Sequence, residues 1–174
     1  GLTVAATLRL EPLPLAKGLC TVQFKDVLEA LTATPLVLEH GPSALELIDR
    51  FILDTTKGRT RFEPLRDFIE GDPGAVLVVE FFGDHLEELP PRIDALADSL
   101  RQAGLGHHLH RALEPAAQDR IWELRRAGLG LSMSQRGDAK SISFVEDTAV
   151  APERLRDYIE EFQRILARHK VPAG

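Results

Sequence analysis

AVLVVEFF, residues 75–82, is the stretch of the sequence that most directly indicates the fold. β-Branched and aromatic residues dominate it, and these residues favour extended strands. Its apolar character is nearly continuous, which is typical of a strand that is covered on at least one face. The run therefore predicts a central strand of a sheet.

Apolar residues recur at helical spacing after this strand, at Leu89, Ile93, Leu96 and Leu100. The spacing is clearest in the last predicted helix, from Pro152 to about His169. We expect that helix to bury its apolar side chains, which are Leu155, Tyr158, Ile159, Phe162, Ile165 and Leu166.

Strands and helices alternate along the chain, with further strands predicted at Leu19–Phe24, Ala44–Ile48, His107–Leu113 and Ser141–Val145. The connections vary too much for a doubly wound nucleotide-binding fold. Two strand–helix–strand units on an antiparallel sheet fit better. The predicted fold is therefore α+β, a ferredoxin-like antiparallel sheet with helices packed on one face, plus additional elements.

Composition limits the classes of function. The chain has 174 residues, 44% of them hydrophobic, and a formal net charge of −6. Its basic residues are scattered, whereas binding to a nucleic-acid backbone needs clustered Lys and Arg, so we expect no nucleic-acid partner. No apolar stretch approaches the roughly 20 residues of a membrane span.

Two glycine pairs, Gly104-Leu105-Gly106 and Gly128-Leu129-Gly130, follow predicted helices. Both look like helix stops, in which glycine adopts the left-handed conformation. Neither completes a dinucleotide-binding fingerprint, which must lie between a strand and a helix. We expect the chain to bind no nucleotide by itself, and no cofactor-binding residue is assigned.

The only histidine cluster is His107, His108 and His110. On a strand, His108 and His110 share one face. They could begin a zinc site or could simply lie on a partly packed strand, and no third ligand follows at a diagnostic spacing. No metal ligand and no catalytic residue are assigned within this chain.

Two cations stand out as candidates for anion binding. Arg125 comes one turn after Trp122, so the two side chains share a helix face. Arg125 could pack over Trp122, form a surface ion pair, or bind a ligand carboxylate through two parallel hydrogen bonds. Lys140, before the predicted strand at Ser141–Val145, could add a second cation. Residue types alone do not choose between these alternatives.

The run WELRRAGLGLSMSQRGDAKSISFVEDTAV (Trp122–Val150) resembles the C-terminal part of FAD-linked oxidases. The branch it resembles most contains bacterial D-lactate or D-2-hydroxyglutarate dehydrogenase-like proteins with FAD and an iron–sulfur region. The likeness extends to TVAATLRLEPLP (Thr3–Pro14), GPSALELIDRFIL (Gly41–Leu53) and PERLRDYIEEFQRIL (Pro152–Leu166). It therefore covers nearly the whole chain.

This resemblance implies a cap domain that covers a flavin held by a preceding FAD-binding domain of the same polypeptide. Residues 1–18 would be a strand and linker from that preceding domain, including a strand-like run at Thr3–Leu10. Residues 19–174 would be the cap domain, ending before the family's histidine-rich motif. An iron–sulfur cluster and a divalent metal would lie elsewhere in the polypeptide, which would be cytoplasmic or peripheral to the inner membrane.

The implied function is oxidation of a small 2-hydroxy acid such as D-lactate, glycolate or D-2-hydroxyglutarate, with hydride transfer to FAD. Alone, the chain would be inactive. The alternative is a ferredoxin-like module that binds a ligand or dimerises without a catalytic role.

The resemblance also assigns residues. Arg125 is similar to an arginine that pairs with the substrate carboxylate in this family. The family also has a threonine one turn after this arginine and a lysine just before its aspartate. These positions are Leu129 and Val145 here, so that part of the likeness fails, and we expect Lys140 to substitute for the missing cation. Asp147 matches a family aspartate that we expect to be structural.

Overall fold

The computed structural model describes residues 2–10, 12–133 and 148–171. The described residues form four strands and five α-helices, with two short 3₁₀ turns at Glu63–Leu65 and Leu86–Glu88. In chain order the strands and α-helices are β1 (Ala16–Phe24), α1 (Val27–Glu39), β2 (Ala44–Asp49), α2 (Arg50–Thr56), β3 (Ala75–Gly83), α3 (Leu89–Ala103), β4 (His108–Ala112), α4 (Pro115–Met133) and α5 (Pro152–His169). The predicted strand at 141–145 lies outside the described residues.

The strands form one sheet in the order β2-β3-β1-β4, and each neighbouring pair is antiparallel. The run at 75–82 lies in β3, which is central, as its continuous apolar character predicts. With α1 between β1 and β2, and α3 between β3 and β4, this is the ferredoxin-like arrangement. The predicted α+β class and antiparallel sheet are confirmed.

The first face of the sheet packs against α1 and α3. Alternate side chains of the central strands point to this face, including Val22 of β1 and Val79 of β3. They meet the apolar stripe of α3, in which Leu89, Ile93, Leu96 and Leu100 are buried. Gly104 ends α3 in the left-handed conformation, with a φ of 66°, as predicted for a helix stop.

The second face is also covered, by elements other than the two helices that pack on the first face. Leu19, Val76 and Val78 point to this face and pack with α2, α4 and the segment around Phe68. Strands that are apolar on both faces must be covered twice, because each exposed face would leave a large apolar surface in water. The predicted additional elements provide this second layer.

Gly128 and Gly130 are not helix stops, because both lie inside α4. The absence of a side chain at Gly128 allows a close approach to α2, since a Cβ there would lie 2.7 Å from Cδ1 of Ile52. Gly128 therefore serves helix packing, whereas a Cβ at Gly130 would lie within 4 Å of no described residue outside its own helical turns.

Helix α5 packs against α1 at the margin of the molecule. Its predicted periodicity is confirmed, but none of its side chains is buried, and Ile165 is 43% exposed. The expectation that this apolar face is buried is therefore wrong, because α1, the main neighbour of α5 among the described residues, does not enclose the whole apolar stripe.

The start of the chain differs from the prediction in two respects. Residues 2–10 form neither helix nor strand and are exposed, so the strand-like pattern there has no paired strand among the described residues. A strand needs a neighbour for its backbone hydrogen bonds. Strand β1 begins at Ala16 instead of Leu19.

Candidate functional site

Arg125 and Trp122 project from α4 toward the second face of the sheet. The buried residues Ile121 and Leu124 fix this helix against the apolar core on the second face of the sheet, the second core. Nη2 of Arg125 donates a hydrogen bond to Oε2 of Glu46, and the nitrogen and oxygen are 3.0 Å apart. One turn earlier, Nε1 of Trp122 donates to Oε2 of Glu80 at 3.2 Å. Two consecutive turns of α4 are thus tied to two strands.

The sheet register places both glutamates under α4. In the β2–β3 ladder, Glu46 lies opposite Val78, and Ala44 lies opposite Glu80. Because side chains alternate along a strand, Glu46, Val78 and Glu80 occupy the same face. Val78 belongs to the second core, so both carboxylates rise from the floor of that layer.

The guanidinium of Arg125 is only partly occupied. Its side chain is 36% exposed, and that of Glu46 is 44% exposed. Nε of Arg125 is buried and has no hydrogen-bond partner among the described residues. A guanidinium carries five N–H donors in a planar fork, so a second carboxylate could bind beside Glu46. Of the alternatives that the sequence leaves open, the structure shows the ion pair.

Two clefts among the described residues lie away from Arg125. One of about 870 Å³ is bounded by α5, α2 and the start of α1, and Arg125 does not line it. Another, of about 800 Å³, is lined by α5 and Val150. Neither of these two clefts therefore includes the side chain of Arg125.

The other residues singled out around Arg125 are less informative. Lys140, Val145 and Asp147 lie outside the described residues, so the second cation stays a prediction. Leu129 lies in α4, one turn after Arg125, where the resemblance expects a threonine.

The histidines of β4 belong to the opposite edge of the sheet. His108 and His110 share the second face, as predicted, since His108 pairs with Gln23 and His110 with Thr21. Nδ1 of His108 lies 3.0 Å from Oε2 of Glu70. Burial lowers the pKa of His110, with nearby Asp67 opposing the shift. The part of the chain that the structure describes contains no group of three metal-ligating side chains.

Sequence reasoning missed Glu46 and Glu80 as partners in this site. Glu80 is only 7% exposed, and a carboxylate within an apolar strand needs a partner because its burial is costly. The carboxylate within the apolar run was therefore the available signal that Glu80 has a partner. The identity of its partner depends on where α4 crosses the sheet, which residue types do not reveal.

Neither glycine pair lies between a strand and the helix that follows it, which is where a dinucleotide-binding fingerprint lies. Gly104 and Gly106 follow α3, and Gly128 and Gly130 lie within α4. No described helix is long and apolar enough to cross a membrane.

Comparison with known proteins finds a matching family and several similar proteins. Residues 13–174 match the family described as FAD linked oxidases, C-terminal domain. Similar proteins include D-2-hydroxyglutarate dehydrogenases of Pantoea ananatis (31% identity, 97% of this chain, 17% of the relative), Pseudomonas putida (29%, 100% and 18%) and Escherichia coli (31%, 97% and 18%). The chain thus spans less than a fifth of these relatives' length. This match covers β1 through α5, and the chain belongs to the family of FAD-linked oxidase C-terminal domains.

Proposed function

We propose that this chain is the substrate-side domain of an FAD-dependent dehydrogenase of 2-hydroxy acids, in which Arg125 binds the substrate carboxylate. The observation that carries the proposal is the partly exposed side chain of Arg125, whose guanidinium is held among the described residues by one hydrogen bond, from Nη2 to Glu46. Family membership and the names of the relatives support the substrate class. Lys140 is proposed as a second cation on sequence grounds alone.

The role of this chain would be binding and orientation. A carboxylate held by two parallel N–H groups cannot rotate freely, so the α-carbon of the substrate keeps a fixed direction. The flavin supplies the redox chemistry when it is bound, and residues outside this chain would hold it. We therefore assign no catalytic residue here and expect the isolated chain to be inactive.

The proposal includes an FAD-binding domain in the same polypeptide as the partner of this chain. Exposed apolar residues of the first segment, Leu2, Val4, Leu8 and Leu10, support a partner that covers them. The start of β1 at Ala16 and of the family match at residue 13 favour a domain boundary before β1.

Arg125→Ala in the full-length protein tests the proposal. D-lactate, glycolate and D-2-hydroxyglutarate are assayed as substrates. For the substrate that the wild type oxidises, we expect kcat/KM to fall about 100-fold, which corresponds to roughly 3 kcal/mol for the loss of a charged hydrogen-bond pair. Arg126→Ala is the matched control, because Arg126 is exposed on the same helix. Kinetics of Arg125→Ala that match the control would remove Arg125 from the substrate site.

A binding or dimerising module is the second candidate, favoured by the half-exposed apolar side chains of α5. Tyr158 stacks on Phe162 with ring centres 6.3 Å apart, and Ile165 is exposed beside them. A dimer of the purified chain that is lost in Ile165→Glu, together with wild-type kinetics for Arg125→Ala, would favour this candidate.

A further inference from the structure

We propose that Glu46 is a positioning residue, which fixes the direction of the Arg125 guanidinium so that its remaining N–H groups face the substrate carboxylate. This inference rests on the proposed function of Arg125. It assigns a role in substrate binding to a residue of β2, a strand that otherwise belongs to the scaffold.

The backbone of Glu46 is held firmly. Residues 44–49 of β2 pair in continuous register with residues 75–80 of β3. The next residue pointing to the same face, Ile48, is fully buried in the second core. Arginine, by contrast, has a long side chain with many rotamers. A rigid acceptor at Glu46 therefore limits the directions that the guanidinium can adopt.

The contact leaves donors available. It uses Nη2 of Arg125 and Oε2 of Glu46 at 3.0 Å, a single-point bond. Because Nε is buried, a second carboxylate would accept hydrogen bonds from the Nη hydrogens that this contact does not use. Glu46 would then hold the guanidinium from the side of the sheet, and the ligand would approach from the side exposed to solvent.

The position of α4 does not depend on Glu46. The bond from Trp122 to Glu80 and the buried residues Ile121 and Leu124 hold the helix on the second face. Removing the Glu46 side chain should therefore release the guanidinium and leave the helix in place. This separation makes a positioning role measurable.

Steady-state kinetics of Glu46→Ala and Glu46→Gln in the full-length protein test the inference. For Glu46→Ala we expect KM for the 2-hydroxy acid to rise about 10-fold while kcat changes by less than about 3-fold, because binding of the carboxylate weakens. Glutamine keeps an oxygen that accepts from Nη2, so Glu46→Gln should recover part of the loss. Glu123→Ala, an exposed glutamate on α4, is the control and should match the wild type.

Two outcomes would overturn the inference. If Glu46 instead competed with the substrate for Arg125, both variants would lower KM, since the guanidinium would be freed. If Glu46 served only the scaffold, Glu46→Ala would lower the melting temperature and leave KM unchanged. Should Glu46→Ala fail to fold, the KM of Glu46→Gln decides, because a value at or below that of the wild type contradicts positioning.

Failure of this inference can be distinguished from failure of the proposed function. If Arg125→Ala has normal kinetics, the substrate role of Arg125 falls, whatever Glu46 does. If Arg125→Ala is impaired and Glu46→Ala is not, only the role of Glu46 falls. If the roles of Arg125 and Glu46 are both correct, the double variant with Arg125→Ala and Glu46→Ala should bind substrate no worse than Arg125→Ala alone, because Glu46 acts through Arg125.

Discussion

The two faces of the sheet are built from the same strands, yet they differ in what their central strands present. On the first face, β1 and β3 contribute only apolar residues and glycine, and α1 and α3 cover them. On the second face, the same strands also present Thr21, Gln23 and Glu80, all buried. The first face thus resembles a simple core, whereas the second contains the polar groups from which a binding site can be built.

The largest expected effect breaks the first face. Leu96 of α3 is fully buried there, so Leu96→Ala should reduce the free energy of unfolding by about 2–5 kcal/mol through lost burial and a cavity. Urea unfolding can be followed by the fluorescence of Trp122, the single tryptophan of the chain.

Leu86→Ala is the matched control, because Leu86 is 61% exposed and exposed substitutions cost less than about 0.5 kcal/mol. A loss below about 1 kcal/mol for Leu96→Ala would show that the first face is not a close-packed core.

A smaller effect is expected from two polar positions on the second face. Gln23 donates from Nε2 to the carbonyl of Phe68 at 3.1 Å and accepts from the N–H of Glu70 at 3.3 Å. Gln23→Leu should cost about 1–3 kcal/mol, because both backbone groups lose their partner.

Thr21 provides the contrast, since its buried hydroxyl has no hydrogen-bond partner among the described residues. Thr21→Val keeps the shape of the side chain and should leave stability unchanged or raise it by up to about 1 kcal/mol. Equal losses in Gln23→Leu and Thr21→Val would contradict this view, because satisfied and unsatisfied polar groups would then be equivalent.

The difference between the faces also explains what the sequence could reveal. The strand at 75–82 and the helix containing Leu96 were predictable, because hydrophobic periodicity reflects local geometry. The sequence predicted additional elements but not where they pack, because the same continuous apolar run fits a strand covered on one face or on both. The prediction that Gly128 ends a helix was wrong for a related reason, since the sequence does not distinguish a glycine that permits close helix packing from one that ends a helix.

The candidate site was predictable only in part. Arg125 could be named as a candidate from its spacing after Trp122 and from the family resemblance, and its role in substrate binding is a proposal. Glu46 could not, because it lies 79 positions away in the chain and meets Arg125 only through the register of β2 with β3 and the crossing of α4. Contacts of this kind depend on tertiary packing, which no local pattern contains.

The smallest expected effect concerns the Arg125–Glu46 pair itself. Both side chains are partly exposed, so water screens their attraction, and such pairs contribute about 0–1 kcal/mol to stability. A double-mutant cycle of Arg125→Ala and Glu46→Ala, measured by urea unfolding of the chain, should therefore give a coupling energy below about 1 kcal/mol. The same cycle measured on KM in the full-length protein should give a larger coupling. A coupling energy of about 2 kcal/mol or more in unfolding would instead show that the pair stabilises the fold, as Gln23 does. The polar residues of the second face would then serve stability, as the apolar residues of the first face do.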